Sequence, residues 1–543
     1  MQLSLLLVRE RSAALVRGHP VLAFGLACYA LAVAGLVGLA LAGTEGRFVY
    51  IFDDAYIHMA IARSWAEHGV WGLTRYGFTS STSSPLWTFL IALVFRLIGP
   101  HEGVALGLAA LGGAAAVAAA YDWVRAWAWR PLWQTVLLVG LSLAGPLPLL
   151  ALSGMEHTLH VALVLVFVRR VADWAANDDP PGWVWPWLVW ASALTLVRLE
   201  SAFVIAVSGL VLVAARRRWR LAAGLLLAGA LPVLLYGLWS QANGWWFLPN
   251  SVVVKAGVPD AASDPLALLG PLNPLHLAAN LFMSPPLLGV LAAGTLYLLL
   301  ARRLGWVWDA DHAAVVVLVG SLLAHAQFAS ALWFYRYEAY LLVWAGLALA
   351  AVGGRALSSC LAASGAARAY ALLTTALLAV VAGLMAYRGA LANPLGPRAS
   401  VNIYQQQLQM ARFIGLVSRP GETVVLNDIG AVAFFNDVRV LDIVGLATME
   451  TAIQTRAGTL TPAAIAALAE AQGARVAILY PPEAYELHQP RQWLELARWV
   501  IPDNVAAGHP EVVIYLIDPA AEADLRAALE AFAPTLPAGI VVK

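Results

Sequence analysis

The stretch YIFDDAYIHMAIARSWAEHGVWGLTRYGFTSSTSSPLW, Tyr50 to Trp87, decides how the rest of the chain is read. It follows a long apolar segment, Val21 to Ala42, yet holds Asp53 and Asp54 side by side with His58, Arg63, Glu67, His68 and Arg75, and it closes on the hydroxyl run Thr79 to Ser84. Carboxylates at the lip of a bilayer are costly to keep ionised unless a cation, a metal or a hydrogen-bonded ligand compensates them. The spacing of Tyr56, Ile57, Ala60, Ile61 and Trp65 predicts a short helix over 53–68 lying on the membrane, with the aspartates at its N-terminus. An N-cap accounts for one carboxylate. The second invites a role as base or metal ligand.

Outward from this stretch, composition sets the class. Of 543 residues 61% are hydrophobic and only 12% charged, with mean hydropathy +0.74, whereas soluble proteins carry roughly 25% charged residues. The chain therefore reads as a polytopic membrane protein. A net charge of +1 argues against nucleic acid as a partner, because a phosphate-binding surface needs a basic excess. Cys28 and Cys360 both lie in apolar segments, which supports neither a disulfide framework nor a Cys-based metal site. Val21–Ala42 is too long for a cleaved signal and reads as a retained first span.

Arginines set the orientation. Arg9, Arg11 and Arg17 place the N-terminus in the cytoplasm by the positive-inside rule, and hence Asp53 and Asp54 outside. The arginine clusters that follow alternate with apolar runs for about 11 crossings, Leu86–Gly99 and Val104–Ala120 counting together as one. The outer ends gather FDDAYIH, SGMEH (Ser153–His157), RLES (Arg198–Ser201), LPNSVVVKAG (Leu248–Gly257) and FYRYE (Phe334–Glu338). After Asn393 the composition changes: ETVVLND, RVLDIVGL, ARVAILY and EVVIYLID are strand-like, and GAVAFF, PAAIAALAEAQG and RQWLELARWV helix-like. This predicts a transmembrane domain over 1–393, with its first outer loop at 43–85, and a soluble α/β domain over 394–543 set off by Pro394, Pro397 and Pro420.

Each outer motif has a bland reading beside the chemical one. Glu156 and His157 either cap the next helix or belong to a site. Arg198 and Glu200 stand two apart and do not face each other on a helix, which leaves Arg198 free to reach a phosphate or an acidic partner. Arg336, between Tyr335 and Tyr337, suits an interfacial anchor as well as a phosphate partner. Lys255, one of two lysines in the chain, is either solvated or a point charge for phosphate. His58 and His68 match no zinc spacing.

With these residues in view, the chain resembles the GT-C superfamily of polytopic membrane glycosyltransferases, which use lipid-linked sugars and carry a carboxylate motif in the first extracytoplasmic loop. FDDAYIHMAIARSWAEHG followed by FTSSTSSPLW, then SGMEH, RLES, PNSVVVKAG and RYE, looks most like a bacterial branch that includes terminal arabinofuranosyltransferases, and DIGAVAFFNDVRVLDIVGL is similar to the soluble domain of that branch. The resemblance implies a mainly α, GT-C-like fold with a C-terminal α/β domain in the bacterial inner (plasma) membrane. It implies transfer of a pentose such as arabinofuranose, or a hexose, from a polyprenyl-phosphate donor to an extracytoplasmic glycan, with inversion. Asp53 and Asp54 become the candidates for the base and for a divalent cation, and Arg198, Lys255 and Arg336 for the donor phosphate. His58, Ser83, Ser84, Glu156, His157, Glu200, Asn250 and Tyr337 become candidate substrate contacts. A transporter or flippase of a lipid-linked saccharide is the alternative. It calls for ionisable groups along a path through the bilayer and for repeated halves, whereas the motifs here cluster at outer ends.

Overall fold

A computed structural model describes residues 18–178, 182–255, 274–331, 333–362, 364–482 and 490–543. Arg9, Arg11 and Arg17, on which the expected orientation rests, lie outside them, as does the side chain of Lys255. The helical part runs through α1 (Pro20–Gly43), α2 (Asp53–His68), α3 (Pro85–Ile98), α4 (Gly103–Val124), α5 (Pro131–Ala144), α6 (Leu147–Leu152), α7 (His157–Ala176) and α8 (Trp185–Val197). It continues with α9 (Ser201–Arg216), α10 (Trp219–Ala242), α11 (Asn250–Lys255), α12 (Pro274–Met283), α13 (Pro285–Arg303), α14 (Ala310–Phe328), α15 (Ala339–Ala362) and α16 (Gly365–Gln405).

Among the described residues seven helices, α1, α4, α10, α13, α14, α15 and α16, are long and apolar enough to cross a membrane. The chain is a polytopic membrane protein. Of the two pieces read together as one crossing, α3 and α4, only α4 reaches spanning length. Other expected crossings fall on helices too short for a straight span, α5, α8 and α9. The apolar run Leu132–Leu152 is broken at Gly145 and Pro146 into α5 and α6, since proline lacks the amide that would continue a helix.

The helix α2 forms as its apolar spacing predicts and ends on Gly69, whose φ of 72° is open to glycine at little cost. Pro394 and Pro397, expected to set off the second domain, lie inside the 41-residue α16. Packing outweighs the lost amides here: Ala392, Gly396 and Ala399 lie on buried faces, and Ser400 Oγ donates to Val49 O at 2.6 Å. At Gly389 the helix comes so close to the end of α5 that a Cβ would stand 2.7 Å from Ala144 Cα.

The second part opens with α17 (Gln407–Val417) and builds a six-stranded sheet from β1 (Thr423–Leu426), β2 (Arg439–Asp442), β3 (Val476–Leu479), β4 (Leu494–Val500), β5 (Glu511–Leu516) and β6 (Val541–Val542). The strand order is β2-β1-β3-β5-β4-β6, parallel across β2, β1 and β3 and antiparallel beyond. Between the strands lie α18 (Gly430–Phe435), α19 (Met449–Ala457) and α20 (Pro462–Ala471), and α21 (Glu522–Phe532) follows β5. RQWLELARWV, expected as a helix, instead supplies β4. Its burial alternates, with Ala497 and Trp499 inward, and pairing with β5 and β6 overrides the helical spacing.

One hydrophobic core joins the two parts. Tyr56, Met59 and Ile61 of α2 belong to the same buried cluster as Val432 and Phe434 of α18 and as Ile478 and Trp499 of the sheet. The α/β domain is thus seated on the first-loop helix.

Candidate functional site

The aspartate pair has two separate jobs. Neither side chain caps its own helix, whose N-cap is the extended Phe52. Asp53 reaches across to the N-terminus of α18, accepting from Gly430 N at 2.6 Å and Ala431 N at 2.8 Å. At the other end of that helix Arg63 donates to Phe434 O and, at 3.0 Å, to Asn436 O. Acceptor oxygens at the N-terminus and a cation at the C-terminus both match the open amides and carbonyls of the helix ends, so Asp53 and Arg63 grip α18 at its two ends. The approach requires glycine at 430, where a Cβ would lie 2.9 Å from Ile57 N. Burial and the nearby charge of Asp428 push the Asp53 carboxyl up to about 8.

Asp54 instead accepts from Arg336 Nη2 at 2.8 Å. Arg336 is 2% exposed and Asp54 27%, so the guanidinium is enclosed while the carboxylate looks into open space. Phe52 and Tyr337 place their rings 4.7 and 5.1 Å from the guanidinium carbon, and Nη1 lies 2.9 Å from Met155 Sδ. Arg336 Nε is buried without a hydrogen-bond acceptor among the described residues. Arg336 also lines a cavity in the helix bundle, and a guanidinium at a cavity wall suits an incoming anion. The interfacial-anchor reading of Arg336 therefore falls, because an anchor keeps its charge in contact with water and headgroups.

Asp54 stands on the wall between two cavities. The first, about 490 Å³, lies in the helix bundle and is lined by Asp54, Ser83, Arg198, Glu200, Arg336 and Tyr337 with the apolar Val252, Phe203 and Phe328. The second, about 550 Å³, lies between the bundle and the α/β domain and is bounded by Asp53, Asp54, Trp333, Gln407, Asp428 and Tyr480. A group at Asp54 is thus open to a ligand on either side.

Arg198 is not free. It lies in extended backbone past the end of α8, where the helical spacing rule does not apply, and it binds Glu200 through Nη2 and, at 3.1 Å, through Nε. Its Nη1 donates to Glu156 at 2.7 Å. Flanked by two carboxylates, Arg198 acts as a strut. Glu156, fully buried, makes no cap hydrogen bond; it lies 3.9 Å from both His58 Nε2 and His157 Nε2.

The remaining expected contacts divide. Ser83, Glu200 and Tyr337 line the bundle cavity. His58 does not line either cavity: its Nδ1 lies 2.9 Å from Thr88 Oγ1 and 3.1 Å from Thr82 Oγ1, so most of the hydroxyl run is internal scaffolding. Ser84 and His157 are buried outside both linings. Asn250 ties the domains together through Nδ2 to Gly445 O at 3.0 Å. The side chain of Lys255 is outside the described residues.

The donor set does not fit a metal. Both Asp53 oxygens are taken by amides and Asp54 is paired with an arginine. No group of three or more His, Cys, Asp or Glu among the described residues is placed to hold an ion. Sequence reading missed Gln407, Asp428 and Tyr480, which stand beside the site only through the docking of the α/β domain. The DIGAVAFF motif was their one signal, since Asp428 opens it.

Comparison with known proteins adds fold-level information. Residues 401–515 match a family described as a domain of unknown function (DUF8728). No curated protein matches the sequence. Among solved structures the chain is similar to ArnT from Cupriavidus metallidurans in the apo state, at 14% identity and a TM-score of 0.51, covering 90% of this chain and 98% of that one. ArnT bound to undecaprenyl phosphate aligns over the same shares, at 14% identity and a TM-score of 0.49. At this identity the likeness is one of fold alone.

Proposed function

We propose that this protein is a membrane glycosyltransferase that moves a pentose or hexose from a polyprenyl-phosphate donor to a hydroxyl of an extracytoplasmic glycan. The observation that carries the reading is the Asp54–Arg336 pair on the wall shared by two cavities, with Arg336 Nε still lacking an acceptor. A phosphate entering the bundle cavity meets Arg336 on its wall, and its polyprenyl chain continues past Phe203 and Phe328 toward the apolar helices. The acceptor hydroxyl approaches Asp54 from the interdomain side.

In this reading the hydroxyl loses its proton to Asp54 as its oxygen attacks the anomeric carbon, and the bond to the phosphate oxygen breaks with its electron pair leaving on the phosphate. Arg336 neutralises that growing charge, an electrostatic contribution often larger than proton transfer itself. A single displacement inverts the sugar. The positive-inside reading of the sequence puts this face outside the cytoplasm.

The test is transfer of labelled sugar from a panel of polyprenyl-phosphate donors by purified protein. Asp54→Asn should lower the rate by roughly 10²–10⁴-fold, the usual worth of a positioned base, while Arg336→Ala should abolish donor use. Full activity in Asp54→Asn, or a product of retained configuration, overturns the mechanism.

A further inference from the structure

The motif FYRYE supplies Arg336 and Tyr337 to the bundle cavity, and its other residues, Phe334, Tyr335 and Glu338, have no part in that lining. The backbone there is unusual. Phe334 and Tyr335 stand at φ of 51° and 64°, the only adjacent pair of non-glycine residues with positive φ among the described residues. A bulky side chain in the left-handed region is strained, and two in succession persist only where the surroundings over-determine them.

Two contacts hold the turn from different sides. On one, the Phe334 ring meets Phe52 edge-on with centroids 4.8 Å apart, and Phe52, the residue before Asp53, also carries the Arg336 guanidinium on its ring. On the other, Arg388 of α16 donates through Nη2 to Tyr335 O at 2.7 Å and to Glu338 Oε1 at 2.8 Å, with its guanidinium carbon 5.0 Å from the Tyr335 ring centroid. Arg388 is itself fixed in place, because the next residue, Gly389, is where α16 abuts the end of α5.

Stability alone does not account for this pair. Arg388 is 5% exposed and Glu338 fully buried, and Nε and Nη1 of Arg388 are buried without a hydrogen-bond partner among the described residues. A buried ion pair adds little net stability over apolar residues of similar volume, so the directed hydrogen bond to the Tyr335 carbonyl is what the pair contributes.

We infer that Arg388 is a positioning residue: by holding the Tyr335 carbonyl it keeps the turn in its left-handed shape, and that shape brings Arg336 back onto Asp54. Glu338, two residues beyond Arg336, neutralises Arg388 and aims it. The consequence for a donor phosphate rests on the glycosyl-transfer reading, whereas the clamp stands on the geometry of the turn.

The experiment uses full-length protein in lipid nanodiscs, with hydrogen exchange at residues 333–339 and polyprenyl phosphate binding read on the same preparations. Removing Arg388 alone would leave Glu338 buried without its cation, so the working variant is Arg388→Met with Glu338→Met, which exchanges the pair for apolar side chains and should hold Tm. It should nonetheless lose protection at 333–339 and weaken polyprenyl phosphate by about tenfold or more, since apparent affinity falls with the populated fraction of the competent turn. Adding Tyr335→Gly to that variant should return affinity several-fold, because glycine takes a positive φ without strain, a rescue that a merely stabilising pair would not give. A strongly lowered Tm, unchanged protection or unchanged affinity in the double variant, or a loss that Tyr335→Gly leaves in place, overturns the inference. A wild-type protein that binds no polyprenyl phosphate removes the donor reading instead, and protection at 333–339 then decides the clamp by itself.

Discussion

Replacing Asp53 by alanine strips α18 of both acceptors at its N-terminus. Gly430 N and Ala431 N, at 2.6 and 2.8 Å from the carboxylate, are left facing the space where it was. Each orphaned buried donor costs roughly 1–3 kcal/mol. Part of that is returned, because the carboxyl stands close to Asp428 and Asp54, whose like charges oppose its ionisation. The net loss of docking free energy is then about 2–4 kcal/mol, which corresponds to the domain opening roughly 30- to 1000-fold more often. Hydrogen exchange of the full-length protein reads this directly at residues 430–436, which should lose protection by that factor. Asp53→Asn keeps one acceptor oxygen and should recover about half of the effect in free energy. Its transfer rate should fall by no more than about tenfold, against the far larger loss in Asp54→Asn. Unchanged protection at 430–436 in Asp53→Ala would show that the contact does not hold the domain. A loss of turnover in Asp53→Asn equal to that of Asp54→Asn would assign Asp53 to the chemistry.

The same contact responds to pH. Asp53 has a folded-state value of about 8 against an ordinary 3.8, so the docked form binds more protons in that window; docking is strongest below about 4 and weakens as pH rises through about 8. Corrected exchange at 430–436 should accelerate over that rise, and Asp428→Asn should flatten the profile. Gly430→Ala places a Cβ 2.8 Å from Asp53 Oδ2 and 2.9 Å from Ile57 N, and limited proteolysis should then release the α/β domain more readily. Arg198→Gln leaves the fully buried Glu156 without its cation and should destabilise the bundle by roughly 3–5 kcal/mol, seen as a lowered Tm even before substrate is added.

The linear chain determined what is local. Long apolar runs fix spanning helices because a helix satisfies its own backbone in lipid, and the spacing of Tyr56, Ile57, Ala60 and Trp65 fixes α2 because one helical face repeats every three to four residues. The strands β1, β2, β3 and β5 were legible as short β-rich runs for the same reason. β4 was not, since LELARWV fits either period and only its neighbours β5 and β6 choose between them. The prolines at 394 and 397 were misleading because their penalty is local while the packing that overcomes it is not. For the candidate site, the sequence singled out the aspartate pair, Arg336 and Tyr337, which the fold brings together, but it could not divide the labour. Asp54 meets Arg336 across 282 positions and Asp53 meets Gly430 across 377. Contacts at such separations leave no periodic trace in the sequence. They exist only once α2 and the α/β domain bury a common core, and that shared burial turns two adjacent, chemically identical residues into a clamp and a proposed base.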